Sequence, residues 1–410
     1  MIEEREVETR GALKMKIVNL TQSRERYPDI ELIKVESESV FFSVQVNEGK
    51  RYFYEVRRYE TENKRSELLW RYELGEDIFY TQKVYMDGNK IIIAKLQDKG
   101  QVEIEVLDKT TGKFIKAENI WIGDIQGEEI IAINQRYFLV GGENKKAENM
   151  YYLCDIEEQT SYLVTMLRLV GGLPAGHGLI RRLPCFKRQG EEWVIFNESY
   201  MEDYEYEQIY DCIMAKNFDA SQIRETEGLY VLPLTTLIEG IKQREDIIPF
   251  REIKKRWIDG WIRYLGIKNG NIYYREKDFE TQIENVYAVD IESLEERIVC
   301  QINHQQLNGV LRYDLEQIYE DIRGEEKRYV RGHYGLDKTL EIPMHKRLRF
   351  EAYLENRYIV TSWWWENEVD GVYEYKEFVG IQDTQGEGIE KQMLVYEGQC
   401  YVEGTSVVIY

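Results

Sequence analysis

Apolar and polar positions alternate most clearly between residues 84 and 121, VYMDGNKIIIAKLQDKGQVEIEVLDKTTGKFIKAENIW. The pattern predicts four short strands joined by three turns. Residues 83–87 form an extended piece ending at Asp87-Gly88-Asn89, a tight-turn sequence because Gly and Asn tolerate positive φ. Residues 90–96 (KIIIAKL) are a β-branched, apolar run, too short for a helix and suited to a buried strand. Residues 101–107 (QVEIEVL) alternate strictly, with Val102, Ile104 and Val106 on one face and Glu103 and Glu105 on the other. Asp108 opens the third turn, where its carboxylate can bond the backbone two residues on. Residues 114–121 are the fourth strand. No segment here has the apolar spacing of a helix. A lone sheet of this size cannot bury both faces, so it needs a neighbour on each side.

The unit recurs. Turns of the first kind fall at 36–39, 87–89, 134–135, 189–190, 269–271, 316–317, 355–356 and 403–404. Most precede a β-rich run such as VFFSVQV, RYFLV, EWVIF or RYIVTSWWW. Turns of the third kind fall at Thr61, Asp108, Asp155, Asp219, Asp290, Asp337 and Asp383. Most intervals are 46 or 47 residues, and the two around Asp219 are longer and hold insertions. Such a period matches the ~40–50 residues of a β-propeller blade. Seven units run from about 31 to 398. The C-terminal residues 399–410 resemble strands one and two, and residues 4–21 resemble strands three and four. Joined, they form an eighth blade that closes the ring and removes two exposed edges. The expected fold is therefore all-β: a propeller of four-stranded antiparallel blades in one domain, 1–410. Eight blades are favoured. The alternative is seven, with one terminus frayed or added as an outer strand.

The stretch LDKTTGKFIKAENIW resembles the quinoprotein-type repeat of bacterial β-propellers, in which an Asp and a Thr-Gly turn precede a strand carrying Trp. The match is carried by Asp108, Thr111, Gly112 and, with altered spacing, Trp121. Asp155 and Asp290 keep the Asp and lose the Thr-Gly. The resemblance implies a fold and no catalytic or cofactor-binding residue.

One segment departs from the β pattern. Residues 229–234 suit strand four of the fourth unit. Thr236 to Glu239 then spell a capping box. Pro249 followed by FREIKKRW suits a helix with Pro in its first turn and basic residues toward its end. Residues 235–260 are expected to be a helical insertion between blades four and five, with a helix from Pro249 to Trp257.

Charge narrows the function classes. The chain has 410 residues, 54 basic and 75 acidic, for a net charge of −21. That argues against nucleic acid and anionic membranes as partners, and it permits a cationic one. No window approaches the ~18 apolar residues of a membrane span. The five cysteines are scattered and form no CxxC, as expected of reduced thiols in a cytoplasmic protein. The start, MIEEREVETRG, has no apolar signal region.

In a four-stranded meander, turns between strands two and three share a rim with the crossings to the next blade. Several unusual segments are expected on that rim. Residues 197–207 (NESYMEDYEYE) offer Tyr200, Asp203, Tyr204 and Tyr206. Residues 363–371 (WWWENEVDG) offer Trp363, Trp364, Trp365, Glu366, Glu368 and Asp370. The glycine-rich crossing 171–178 contains His177, and the insertion adds Trp257. Each has a plainer reading: tryptophans alternating along a strand place at least one in the core, the tyrosine-acid stretch is a solvated turn, His177 is a loop histidine, and the helix fills a gap between blades. An exposed Trp beside carboxylates suits a cationic side chain or a sugar face.

Catalytic signals are weak. Four histidines occur, His177, His304, His333 and His345, without HExxH; no GxSxG elbow, P-loop or Cys/His metal spacing is present. No metal or cofactor is expected, and no catalytic residue is assigned. The leading expectation is a non-catalytic binding or scaffold propeller that recognises a protein or peptide through an acidic, aromatic rim. The alternative is a carbohydrate-binding or glycoside-processing propeller using Trp stacking and channel carboxylates.

Overall fold

The computed structural model describes residues 3–6, 15–20, 29–62, 65–74, 82–97, 100–123, 125–146, 149–164, 183–201, 225–245, 251–257, 260–313, 318–323, 328–334, 339–342, 349–355, 357–369, 372–384, 394–403 and 406–410. Their strands form eight four-stranded sheets. Blade two has the strands read from the sequence: Gln82–Asp87, Lys90–Gln97, Gln101–Asp108 and Phe114–Trp121. Blades one, three, five and six are the same antiparallel meander over 29–74, 125–163, 260–303 and 310–342.

Consecutive apolar residues explain the ring. Successive side chains of a strand point to opposite faces. In blade two, Ile91 and Ile93 pack with Phe41 and Trp70 of blade one, while Ile92 and Ala94 pack with Ile130 and Phe138 of blade three. Every blade repeats this division, giving eight apolar layers, one between each pair of neighbours. The layers form a closed cycle, so the ring has eight blades. Bulges between strands one and two of blades one, three, five and seven add the local twist that blades need.

Blade eight is built from both chain ends, in the order Cys400–Glu403, Ser406–Ile409, Lys16–Asn19, Glu3–Glu6. Val407 and Ile409 join the layer with blade seven, and Val408 and Tyr410 the layer with blade one. Closure by the termini was expected; its hand was not. The second N-terminal strand lies beside the C-terminal one and runs parallel to it, with Lys16 opposite Ser406 and Asn19 opposite Ile409. Burial decides this. Met15, Ile17, Val18 and Leu20 fill the layers on both faces, whereas Glu3–Glu6 reads EERE and suits only an edge.

The helical insertion also differs from expectation. One helix spans Leu234–Gln243, and its Leu237, Ile238 and Ile241 seal the layer between blades three and four. It starts after Pro233 with no side-chain cap, so the box at Thr236 is not used. The strand before it, Glu225–Pro233, is strand three of blade four, not strand four. Strand four is Arg251–Trp257, where a helix was expected. Ion pairs favour the extended form: Lys254 and Arg256 alternate along the strand and reach Glu276 of blade five at 3.3 and 2.9 Å. A helix would turn those two residues apart. The insertion therefore lies within blade four, not between blades four and five. Asp219 lies outside the described residues, and it comes before strand three in the sequence, so it does not mark a third turn.

The two rims differ. Turns one-two and three-four are stitched from blade to blade. Lys109 meets Glu36 at 3.0 Å, the Gln135 N–H donates to Asp87 at 2.8 Å, and the Gln189 N–H donates to Glu292 at 3.3 Å. The helix sits on this stitched rim, because it joins strands three and four. Its expected place on the opposite rim is corrected.

Candidate binding surface

Blade seven carries a projection. Its middle strands, Tyr358–Val369 and Val372–Asp383, pair along their whole length from Tyr358↔Asp383 to Val369↔Val372. Strand one, Arg349–Leu354, reaches only Ser362, and strand four, Leu394–Glu397, reaches only Phe378. Among the described residues, 363–369 and 372–376 therefore pair only with the facing strand of the same ribbon. They form a two-stranded ribbon on the rim of two-three turns and crossings.

The register sorts the ribbon into two faces. Trp363 is half-buried, stacks on Phe378 at 5.7 Å and joins the layer with blade six. Core packing thus accounts for Trp363. The opposite face takes positions 364, 366 and 368 and, across the ladder, 377, 375 and 373. These are Trp364, Glu366 and Glu368 with Glu377, Tyr375 and Tyr373: three aromatic and three acidic residues, no basic one. Trp364 is 39% exposed. Trp365 shares the Trp363 face, opposite Lys376. Asp370 lies outside the described residues.

Blade four brings together two more expected residues. Tyr200 and Trp257 both pair with Thr226, one from each side, in a single row at the end of the sheet. That end faces the crossing to blade five, so Trp257 reaches the expected rim on a strand. Asp203, Tyr204 and Tyr206 lie in the connection between strands two and three, and His177 in the crossing into blade four, all outside the described residues. The sequence reading missed Tyr373, Tyr375 and Glu377. The available signal was the Asp370-Gly371 dipeptide, a sequence that favours a two-residue hairpin turn and so suggests which residues oppose the tryptophans.

Other polar clusters are consumed by the fold. Lys95 is buried between blades one and two, 2.6 Å from Glu105, 3.2 Å from Glu103 and 4.2 Å from the Tyr72 ring centre. Trp70 Nε1 donates to the other Glu105 oxygen at 2.6 Å. Glu31 interacts with Tyr54 and Lys83; burial pushes its carboxyl up, against the opposing pull of Lys83 and Tyr54. In blade five, His304 Nε2 is 2.8 Å from the buried Glu284 and its Nδ1 is 3.3 Å from Lys277 Nζ. An ammonium only donates, so Nδ1 accepts from Lys277 and Nε2 carries the hydrogen that Glu284 accepts. No lone pair remains on His304 for a substrate. No group of three or more His, Cys, Asp or Glu among the described residues is arranged to hold a metal ion. Among the described residues, no helix is long and apolar enough to cross a membrane.

No family model matches the chain, and no curated protein matches it in sequence. Solved structures match in fold. The uncharacterized protein lmo1340 from Listeria monocytogenes EGD-e aligns over 94% of this chain and 97% of its own, with TM-score 0.44 and 8% identity. Prolyl oligopeptidase B from Galerina marginata aligns over 91% of this chain, with TM-score 0.44 and 10% identity. The acylaminoacyl peptidase of Pyrococcus horikoshii aligns over 89%, with TM-score 0.38 and 10% identity. The chain spans 51% and 60% of the lengths of these two peptidases. The likeness is one of propeller fold alone.

Proposed function

We propose that this propeller is a binding module that recognises a protein or peptide rich in Lys or Arg through the blade-seven ribbon. One observation carries the reading: the register of 358–369 against 372–383 gathers Trp364, Glu366, Glu368, Tyr373, Tyr375 and Glu377 on one face. Carboxylates attract cations, and aromatic faces hold them once partly desolvated. Trp257 and Tyr200 extend the same rim at blade four. The polar clusters between blades support a binding role rather than a reaction, because their charges are answered within the fold. The free thiols of Cys154, Cys185, Cys300 and Cys400 support a reducing, cytoplasmic setting.

The test is an array of basic, neutral and acidic peptides read beside a glycan array. Basic peptides are expected to bind, with affinity falling as salt rises, and Glu366→Lys with Glu368→Lys is expected to abolish the signal. Glycan binding that survives that double change, with no peptide signal, would overturn the proposal in favour of a sugar-binding ribbon.

A further inference from the structure

Strand four of blade seven stops beside Phe378 while strand three runs on to Val372. The Gly398 N–H makes one last bond, donating to the Glu377 carbonyl at 2.7 Å. At Gly398, with φ +140, the chain turns away, a conformation that favours glycine. Gln399 then exchanges hydrogen bonds with Tyr410 and the chain enters blade eight. Strand three is thus left with an open edge from Val372 to Lys376 among the described residues.

The orientation of that edge follows from the Glu377 bond. Its carbonyl faces outward, and backbone groups alternate along a strand. Tyr375 and Tyr373 therefore turn their N–H and C=O groups to the same open side. An unpaired row of this kind is a template for another strand.

We infer that the blade-seven edge accepts an extended basic segment of a partner protein as an added antiparallel strand, in the place strand four vacates. This rests on the binding role proposed for the ribbon and specifies its mode. Charge selects the occupant. Residues 363–377 carry five carboxylates and one lysine. A second copy of this chain would bring the same charge against itself, whereas a strand with Lys or Arg at every other position complements it. Residues opposite Tyr373 and Tyr375 share the face of Trp364, Glu366 and Glu368, so those are the basic positions. The same positions exchange main-chain bonds with the edge.

The probe is an eight-residue peptide alternating threonine and lysine, capped at both ends and read by fluorescence anisotropy with the full chain. One isomer is N-methylated on its lysines, another on its threonines. Methylating the lysines removes inward N–H groups and is expected to weaken binding about tenfold or more. Methylating the threonines alters only the outward side and is expected to leave affinity within about twofold. A parent peptide that binds while both isomers behave alike would overturn strand addition and leave the ribbon's binding role standing. A parent peptide that does not bind would overturn both.

Discussion

Lys242 Nζ lies 3.1 Å from Asp155 Oδ2, tying the last turn of the blade-four helix to the third turn of blade three. Arg136 meets the same carboxylate at 2.8 Å. Burial opposes ionisation of Asp155, but Arg136, the Glu158 and Glu157 N–H groups and Lys242 outweigh it and hold the carboxyl at about 2. The unfolded value is about 4. The folded value is the lower one, so the contribution is complete above pH 4 and fades as pH falls toward 2. Asp155→Asn is expected to cost about 2 kcal/mol at pH 7. Its stability should converge with that of the parent between pH 4 and pH 2. Urea titrations of both proteins across that range check this; a constant gap would refute it.

Lys95 presents the opposite situation, a buried cation answered by two carboxylates and an aromatic face. Removing the cation leaves Glu103 and Glu105 together inside the layer between blades one and two. Lys95→Met is expected to destabilise by roughly 3–5 kcal/mol, the usual cost of breaking one side of a buried pair. Adding Glu105→Gln should recover part of that loss. Chemical denaturation of the single and double variants measures both values.

How far the fold was legible depended on whether its signal was local. KIIIAKL announced a strand buried on both faces, and the packing of Ile91 and Ile93 one way and Ile92 and Ala94 the other is that signal realised. Asp108 does anchor the third turn, its carboxylate accepting the Thr111 N–H at 2.8 Å, three residues on rather than the two expected. Arg251–Trp257 was misread because its basic run and Pro249 mimic a helix, while the carboxylates that favour a strand belong to blade five. The parallel pairing of Lys16–Asn19 was invisible because no turn links the two partners. The ribbon's open edge was equally hidden, since it depends on where strand four leaves the sheet. Its two aromatic faces separate only once the cross-strand register is known.

That separation predicts different fates for neighbouring tryptophans. Trp363 stacks on Phe378 within the layer to blade six, so Trp363→Ala is expected to cost about 2–3 kcal/mol. Trp364 is on the opposite face, and Trp364→Ala should change stability by no more than about 0.5 kcal/mol. It should nonetheless weaken binding of a basic peptide severalfold. Paired melting and anisotropy measurements settle the contrast; equal destabilisation by the two variants would show that the register does not divide them.

Closure by a parallel strand pair is open to a covalent test. Lys16 stands opposite Ser406. An antiparallel pairing over the same residues would instead set Lys16 against Ile409. Neighbouring strands lie about 5 Å apart, within the span a disulfide bridges. Lys16→Cys with Ser406→Cys is therefore expected to oxidise within one molecule and raise the melting temperature, whereas Lys16→Cys with Ile409→Cys should not. Conversely, deleting 399–410 removes Val407, Val408 and Ile409, all fully buried between blades. Each such loss costs about 1.5–3 kcal/mol, against a net stability of typically ~5–15 kcal/mol for a folded domain. The truncated chain should melt far below the full one, or fail to fold. A truncated protein melting within a few degrees of the full chain, or a cross-link at the antiparallel pair, would mean that the termini do not lock the ring in this way.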